Sequence, residues 1–332
     1  MIEYELGVED LADTRFAISP VAETVFSLWP LSDPGRHALH LPWRRSVIAE
    51  LDGLDTRLLL SLVGPTRAVP DFLTPRPATH APTLQDELAI VRRTPPARVR
   101  RDLLAAHGPS RLPGVLRAAE AAGDAPVRAL RNALCDLLEQ YWDLALRPSW
   151  WQMRLVMEAD MTYRARQLAT GGARLLFADM HPNLRWQDGV LRIDKMIGHH
   201  RVTAPGQGLL LVPSVFAYKP VPPISAQEPP SLAYPCRGVA TLWAPPPPPA
   251  AGSLAQLLGP ARAALLSMLG EPTPTVELAR RLHVTPSAVS QHLQVLYATR
   301  LVTRARDGRH VLYRRSPLGD QLTDSPADPS CP

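Results

Sequence analysis

Ser287, Ser290, Gln291 and Gln294 lie on one side of the stretch HVTPSAVSQHLQVLY, residues 283–297. Their spacing is helical, because Val289, Leu293 and Leu296 recur four and then three residues apart and form an apolar face opposite them. An ordinary solvated helix would carry Lys and Glu on its outer side. Hydroxyls and amides instead offer hydrogen-bond donors and acceptors without charge, which is what pairing with base edges in a DNA major groove requires. The first turn of such a helix also offers backbone N–H groups and a positive dipole end to a phosphate. Thr285 and Ala288, before and within that turn, complete the helix's candidate contacts.

A second set of groups is charged. Arg304, Arg306 and Arg309 flank Asp307-Gly308 in LVTRARDGRHVLYRRS, residues 301–316, where two β-prone runs meet at a turn dipeptide. A hairpin with a basic tip suits phosphates or a minor groove, supplying affinity and salt dependence more than sequence choice. The charge balance agrees. Residues 260–316 hold nine Arg and three acids, net +6, while the rest of a +5 chain is close to neutral. Such concentration is the footprint of a polyanion-binding module. Only Lys195 and Lys219 are lysines, which reads as coding bias and carries no mechanism.

Short elements must position these groups. GPARAALLSML (259–269) reads as a helix with Leu265, Leu266 and Leu269 inward. Thr273-Pro274 and Thr285-Pro286 each offer a side-chain cap followed by proline at the first helical position. They would launch the helices VELARRL and 286–298. Two short helices across a tight turn followed by a basic hairpin make a winged helix-turn-helix, spanning 253–318, with the wing at 302–314.

The preceding 243 residues read as a separate domain, joined by a proline-rich linker at 244–252 whose PPPPP run favours a stiff polyproline II spacer. Leu130, Leu134, Leu137, Leu138, Tyr141 and Trp142 stripe a core helix in 127–146. Another helix is expected over 150–169, ended by Gly171-Gly172. LRWQDGVLRI reads as a hairpin and GLLLVPSVF as a buried strand. The fold class expected is therefore α+β: a mainly helical N-terminal domain with some short strands, plus a C-terminal winged helix-turn-helix. Residues 319–332 are expected to be a disordered tail. No apolar run nears eighteen residues and the N-terminus is acidic, so a cytoplasmic protein with no membrane association is expected. Cys135, Cys236 and Cys331 form neither a disulfide framework nor a zinc knuckle.

The segment TVELARRLHVTPSAVSQHLQVLYATRLVTRARDGRHVLYRRS resembles the helix-turn-helix and wing of ArsR-type (arsenic-repressor-like) regulators. Ser290, His292, Leu293, Leu296, Leu301, Val302, Gly308 and Tyr313 carry the resemblance, which covers about residues 254–318. It implies a dimeric repressor of duplex DNA, paired through the helix before the motif, here 253–269. The N-terminal part, with DTRFAISPVAETVFSLWPL and LLLVPSVF, resembles an uncharacterised domain fused ahead of this module in actinobacterial regulators, and brings no ligand or activity. Two departures matter. ELARRL holds no cysteine where metal-sensing members carry Cys-x-Cys, and no histidine follows Tyr313, so no metal or other cofactor is expected. Arg300 stands where the family has glycine. A left-handed backbone there would cost about 1 kcal/mol against Gly.

Blander readings stand beside these. His292 suits packing or a phosphate contact, and Arg280 and Arg281 suit a solvated face equally well. His37, His40, His181, His199 and His200 read as structural or surface residues rather than ligands, having no cysteine or carboxylate at ligand spacing. The tryptophans read as core. GGARLLF lacks the Lys-Ser/Thr of a phosphate loop. The expected function is a dimeric DNA-binding regulator, not an enzyme, with an unknown small-molecule effector as a further partner. The alternative is an enzymatic or ligand-binding N-terminal domain, with the winged helix serving targeting or protein interaction.

Overall fold

Apolar residues three and four apart build the long helices of the chain, and short strands lie beside them in small sheets. The computed structural model describes residues 1–108, 112–203, 206–243, 252–307 and 310–323. The fold is α+β, and the chain divides into two units, Met1–Ala244 and Pro245–Pro332. Of the proline-rich stretch 244–252, residues 244–251 lie outside the described residues.

In the N-terminal unit the expected stripe buries Leu134, Leu138 and Tyr141 completely on the helix Ala125–Ala145. Pro20–Phe26 and Leu84–Arg93 pack on the same core. The first is capped by Ser19, whose hydroxyl accepts from the Ala22 N–H at 3.1 Å. The second opens with a Thr83/Asp86 capping box.

The helix expected over 150–169 ends, as expected, at Gly171-Gly172. It starts at Trp150, Gly172 is non-helical (φ 63°, ψ −162°), and a second helical segment then runs to Ala178 and carries Leu176 and Phe177 into a second core. Trp151, the second residue of the first of these helices, departs from the core expectation and is 65% exposed.

That second core is roofed by a four-stranded sheet in the order Leu184–Gln187, Val190–Ile193, Ile2–Glu5, His200–Thr203. The first two strands form the expected hairpin, with Asp188 (φ 51°) and Gly189 (φ 78°) both left-handed, as a two-residue type I′ turn requires. A three-stranded parallel sheet places Leu210–Ser214, buried throughout, between Arg15–Phe16 and Ser231–Pro235. Burial on both faces explains its continuous apolar run.

The C-terminal unit holds the helices Ser253–Leu258, Pro260–Met268, Thr275–Leu282 and Pro286–Ala298, then the strands Val302–Asp307 and His310–Arg315. The helix expected as one piece before the motif is broken at Gly259 (φ 83°). Leu265, Leu266, Leu278, Val289, Leu293 and Leu296 close its core with Leu301, Val302 and Tyr313.

Thr273-Pro274 is not the helix cap expected. It pairs with Leu312 and Tyr313 as a third, edge strand, and the Thr273 hydroxyl donates to the Glu271 carbonyl. The expected disordered tail also needs correcting at its start, because Pro317–Thr323 is a helix. Ser316 caps it, accepting from the Gly319 N–H at 3.1 Å and donating to the Arg300 carbonyl at 2.7 Å. Gly319 is required there, since a Cβ would sit 2.2 Å from the Leu301 carbonyl oxygen. Residues 324–332 lie outside the described residues.

Candidate nucleic-acid interface

The helix Pro286–Ala298 begins where the sequence places its cap. The Thr285 hydroxyl accepts from the Ala288 N–H at 3.3 Å, with Pro286 at the first helical position. Such a cap is worth about 1 kcal/mol. Pro286 has no N–H and that of Ala288 is engaged, so the Ser287 N–H is the first-turn donor left for a phosphate.

The turn before this helix is made by His283, left-handed at φ 55°, with the Val284 N–H returning to the Ala279 carbonyl at 3.1 Å. Beyond the helix the chain turns again at Arg300, left-handed at φ 60° where the resembling family has glycine. The Ser316 hydroxyl ties down its carbonyl, so the tail helix supports the strain that Arg300 introduces.

Val289, Leu293 and Leu296 are buried, and Ser287, Gln291 and Gln294 are exposed on the opposite side. Thr285 is exposed as well. Ser290 is half-buried at the edge of the polar face, and Ala288 is half-buried. His292 is half-buried too, between the two faces. The exposed face continues through Tyr297, which the polar-face pattern passes over because it falls at the apolar end of the motif.

Arg304 and Arg306 alternate on one face of Val302–Asp307 and are both exposed. The Arg304 guanidinium lies over the Tyr297 ring, 4.4 Å from its centre, which links the wing to the end of the helix. Arg309 and Gly308 lie outside the described residues.

The remaining arginines divide by partner. Arg280 and Arg281 both bind the Glu277 carboxylate, at 2.8 and 2.7 Å. Their hydrogen bonds pull the Glu277 carboxyl down to about 2. Arg315 pairs with Asp320 at 2.8 Å. Arg300, Arg304, Arg306 and Arg314 have no ion pair among the described residues, so uncompensated positive charge gathers on and below the wing.

The histidines of the N-terminal unit are dispersed. His37 and His40 are buried with ring centres 6.4 Å apart, and His40 takes a hydrogen bond from Trp243 at 3.0 Å. Desolvation pushes His40 down to about 4. His181 accepts from the Asn183 N–H, and His199 lies against the N-terminal amine. Among the described residues no three His, Cys, Asp or Glu side chains gather as a metal site, and no helix is long and apolar enough to cross a membrane.

Residues 257–305 match the family model described as a helix-turn-helix domain. The chain is also similar to the HTH-type transcriptional repressor SmtB of Mycobacterium tuberculosis, in strain CDC 1551 / Oshkosh and in strain ATCC 25618 / H37Rv. Identity is 47% over 77 residues, covering 21% of this chain and 57% of each relative's length. No solved structure matches the chain significantly. The family match falls entirely within the C-terminal unit, so the helix-turn-helix likeness describes that unit alone.

Proposed function

We propose that this chain is a transcriptional regulator, a repressor acting as a homodimer on duplex DNA. The helix Pro286–Ala298 reads the major groove, with Ser287, Gln291 and Gln294 on base edges and Ser290 at the margin. Thr285 and Ala288 shape the first turn, where the Ser287 N–H meets a phosphate. The wing, residues 302–314, grips the backbone or minor groove through Arg304, Arg306 and Arg309.

One observation carries this reading. A single small unit joins an outward polar face without charge to a strand on which Arg304 and Arg306 are exposed and have no ion pair among the described residues. The two tasks of a DNA reader, specifying and positioning, fall on separate groups in that arrangement. The relatives that share 77 aligned residues with this chain bear the name of repressors, which supports the same direction of output.

A dimer follows from the geometry of reading, because one winged helix covers a half-site. The helices ahead of the motif and the tail helix supply its face. Leu257 there is 72% exposed, with Leu318 and Leu322 also exposed. The domain scheme proposed is 1–243 for effector sensing and further dimer contacts, 244–252 as linker, and 253–318 for DNA.

Gel-shift with the DNA upstream of the chain's own gene, at two salt concentrations, tests the proposal. Retarded DNA whose affinity falls steeply with salt is expected. Equal affinity for that DNA and for random duplex would contradict a regulator's role.

A further inference from the structure

The N-terminal unit contains a cavity that the DNA-binding reading does not use. Its apolar wall includes Phe26 and Trp29, which stack with ring centres 4.7 Å apart, together with Val212 and Ile224. Three cations line it as well: Arg67, Arg76 and Lys219. Against them stands Asp71, whose two carboxylate oxygens each already accept a backbone N–H, from Ile224 and Ser225, both at 2.9 Å.

The cations are poorly neutralised. Arg76 donates to the carbonyls of Pro230 at 2.9 Å and Gln207 at 3.2 Å, and it has no carboxylate partner among the described residues. Lys219 has none either, and its ammonium lies 5.7 Å from the centre of the Tyr218 ring. Arg67 donates to the hydroxyl of the same tyrosine at 3.1 Å and reaches Asp33 only at 3.6 Å. A simple packing defect would be lined by apolar groups alone. Partly buried cations around an aromatic wall instead match an apolar body that ends in an anion.

We propose that this cavity binds a small apolar molecule carrying one carboxylate. Its hydrocarbon or aromatic part packs on Trp29 and Val212, and its carboxylate meets Lys219. This site does not depend on DNA binding. Only an effect of the ligand on operator affinity rests on the regulator reading above.

Titration calorimetry on the full chain tests the site with butanoate, hexanoate, octanoate and benzoate. Octanol serves as the uncharged counterpart, and inorganic phosphate as charge without an apolar body. At least one carboxylate should bind about tenfold more tightly than octanol and phosphate, as expected of a charge-assisted contact added to apolar burial. Lys219→Gln should weaken that carboxylate about fivefold while leaving octanol unchanged. Val212→Trp should abolish binding of both in protein whose thermal transition is retained.

Equal affinity for octanol and the carboxylates would overturn the anionic part of the proposal. No binding by any of the four carboxylates would overturn the site. The same ligand is then added to the gel-shift. Binding without a change in DNA affinity would support the site and remove its role as an effector.

Discussion

In the C-terminal unit the glutamines and arginines face outward, on Gln291, Gln294, Arg304 and Arg306, around a small core of Leu, Val and Tyr. In the N-terminal unit strong polar groups are turned inward. Glu23, Glu87, Asp160 and Arg164 are all buried, and Glu87 reaches across 66 residues to hold the Val21 N–H at the start of a helix. The difference separates two kinds of consequence. Outward groups can be exchanged with little effect on folding and a direct effect on what the unit binds. Inward groups hold elements together, so changing them alters stability and its dependence on pH before anything else.

The largest expected effect belongs to Arg164. It is fully buried beside Asp160, at 3.8 Å, and binds Asp179. Arg164→Ala leaves a buried carboxylate without its cation and should cost about 3–5 kcal/mol in denaturant unfolding of the N-terminal unit. A loss no greater than that of an exposed arginine would break the distinction between the units.

Glu87 should act through pH. Desolvation pushes its carboxyl up to about 8, so the folded protein keeps a proton that the unfolded chain releases near the ordinary value of 4.5. Stability from this group is therefore full below the unfolded value and is lost as pH rises through about 8. Glu23, raised to about 7, has the same sign. His40, lowered to about 4, has the opposite sign, but its window closes near 6.5. Between pH 6.5 and 8 the wild-type protein should lose stability, and Glu87→Gln should lessen that fall by roughly 1–2 kcal/mol. Parallel wild-type and variant curves across that window would mean that Glu87 is ionised in the folded state.

A smaller effect sharpens the comparison from the C-terminal side. Arg300 holds a left-handed turn against its preference, so Arg300→Gly should stabilise that unit by about 1 kcal/mol in thermal unfolding. Destabilisation would show that the Arg300 side chain contributes more than its backbone strain removes.

Three Ser/Thr-Pro pairs show which parts of this architecture the sequence makes legible. Thr285-Pro286 is a cap in sequence and in structure, because capping is settled within three residues. Thr273-Pro274 looks the same locally but becomes an edge strand, since its partner Tyr313 lies forty residues on. Ser316-Pro317 is passed over at the end of the wing segment, yet it caps a helix anchored to the Arg300 turn. Gly171-Gly172 is legible for the same local reason as Thr285-Pro286, since the glycines end a helix in sequence and in structure, whereas the helical segment beyond them depends on Phe177 packing in a distant core. The polar face of 286–298 is legible because helical periodicity sorts it from Val289, Leu293 and Leu296. The cationic cavity is not, because Arg67, Arg76 and Lys219 meet only through the tertiary fold.

The most direct test of the central claim compares Gln291→Ala with Arg306→Ala, measuring affinity for operator and for random duplex across a salt series. Gln291→Ala should weaken operator binding by about 1–3 kcal/mol and leave random DNA unchanged. Arg306→Ala should weaken both alike and reduce the salt slope by about 1. Equal losses on operator and random DNA for Gln291→Ala would contradict the assignment of base reading to the uncharged face.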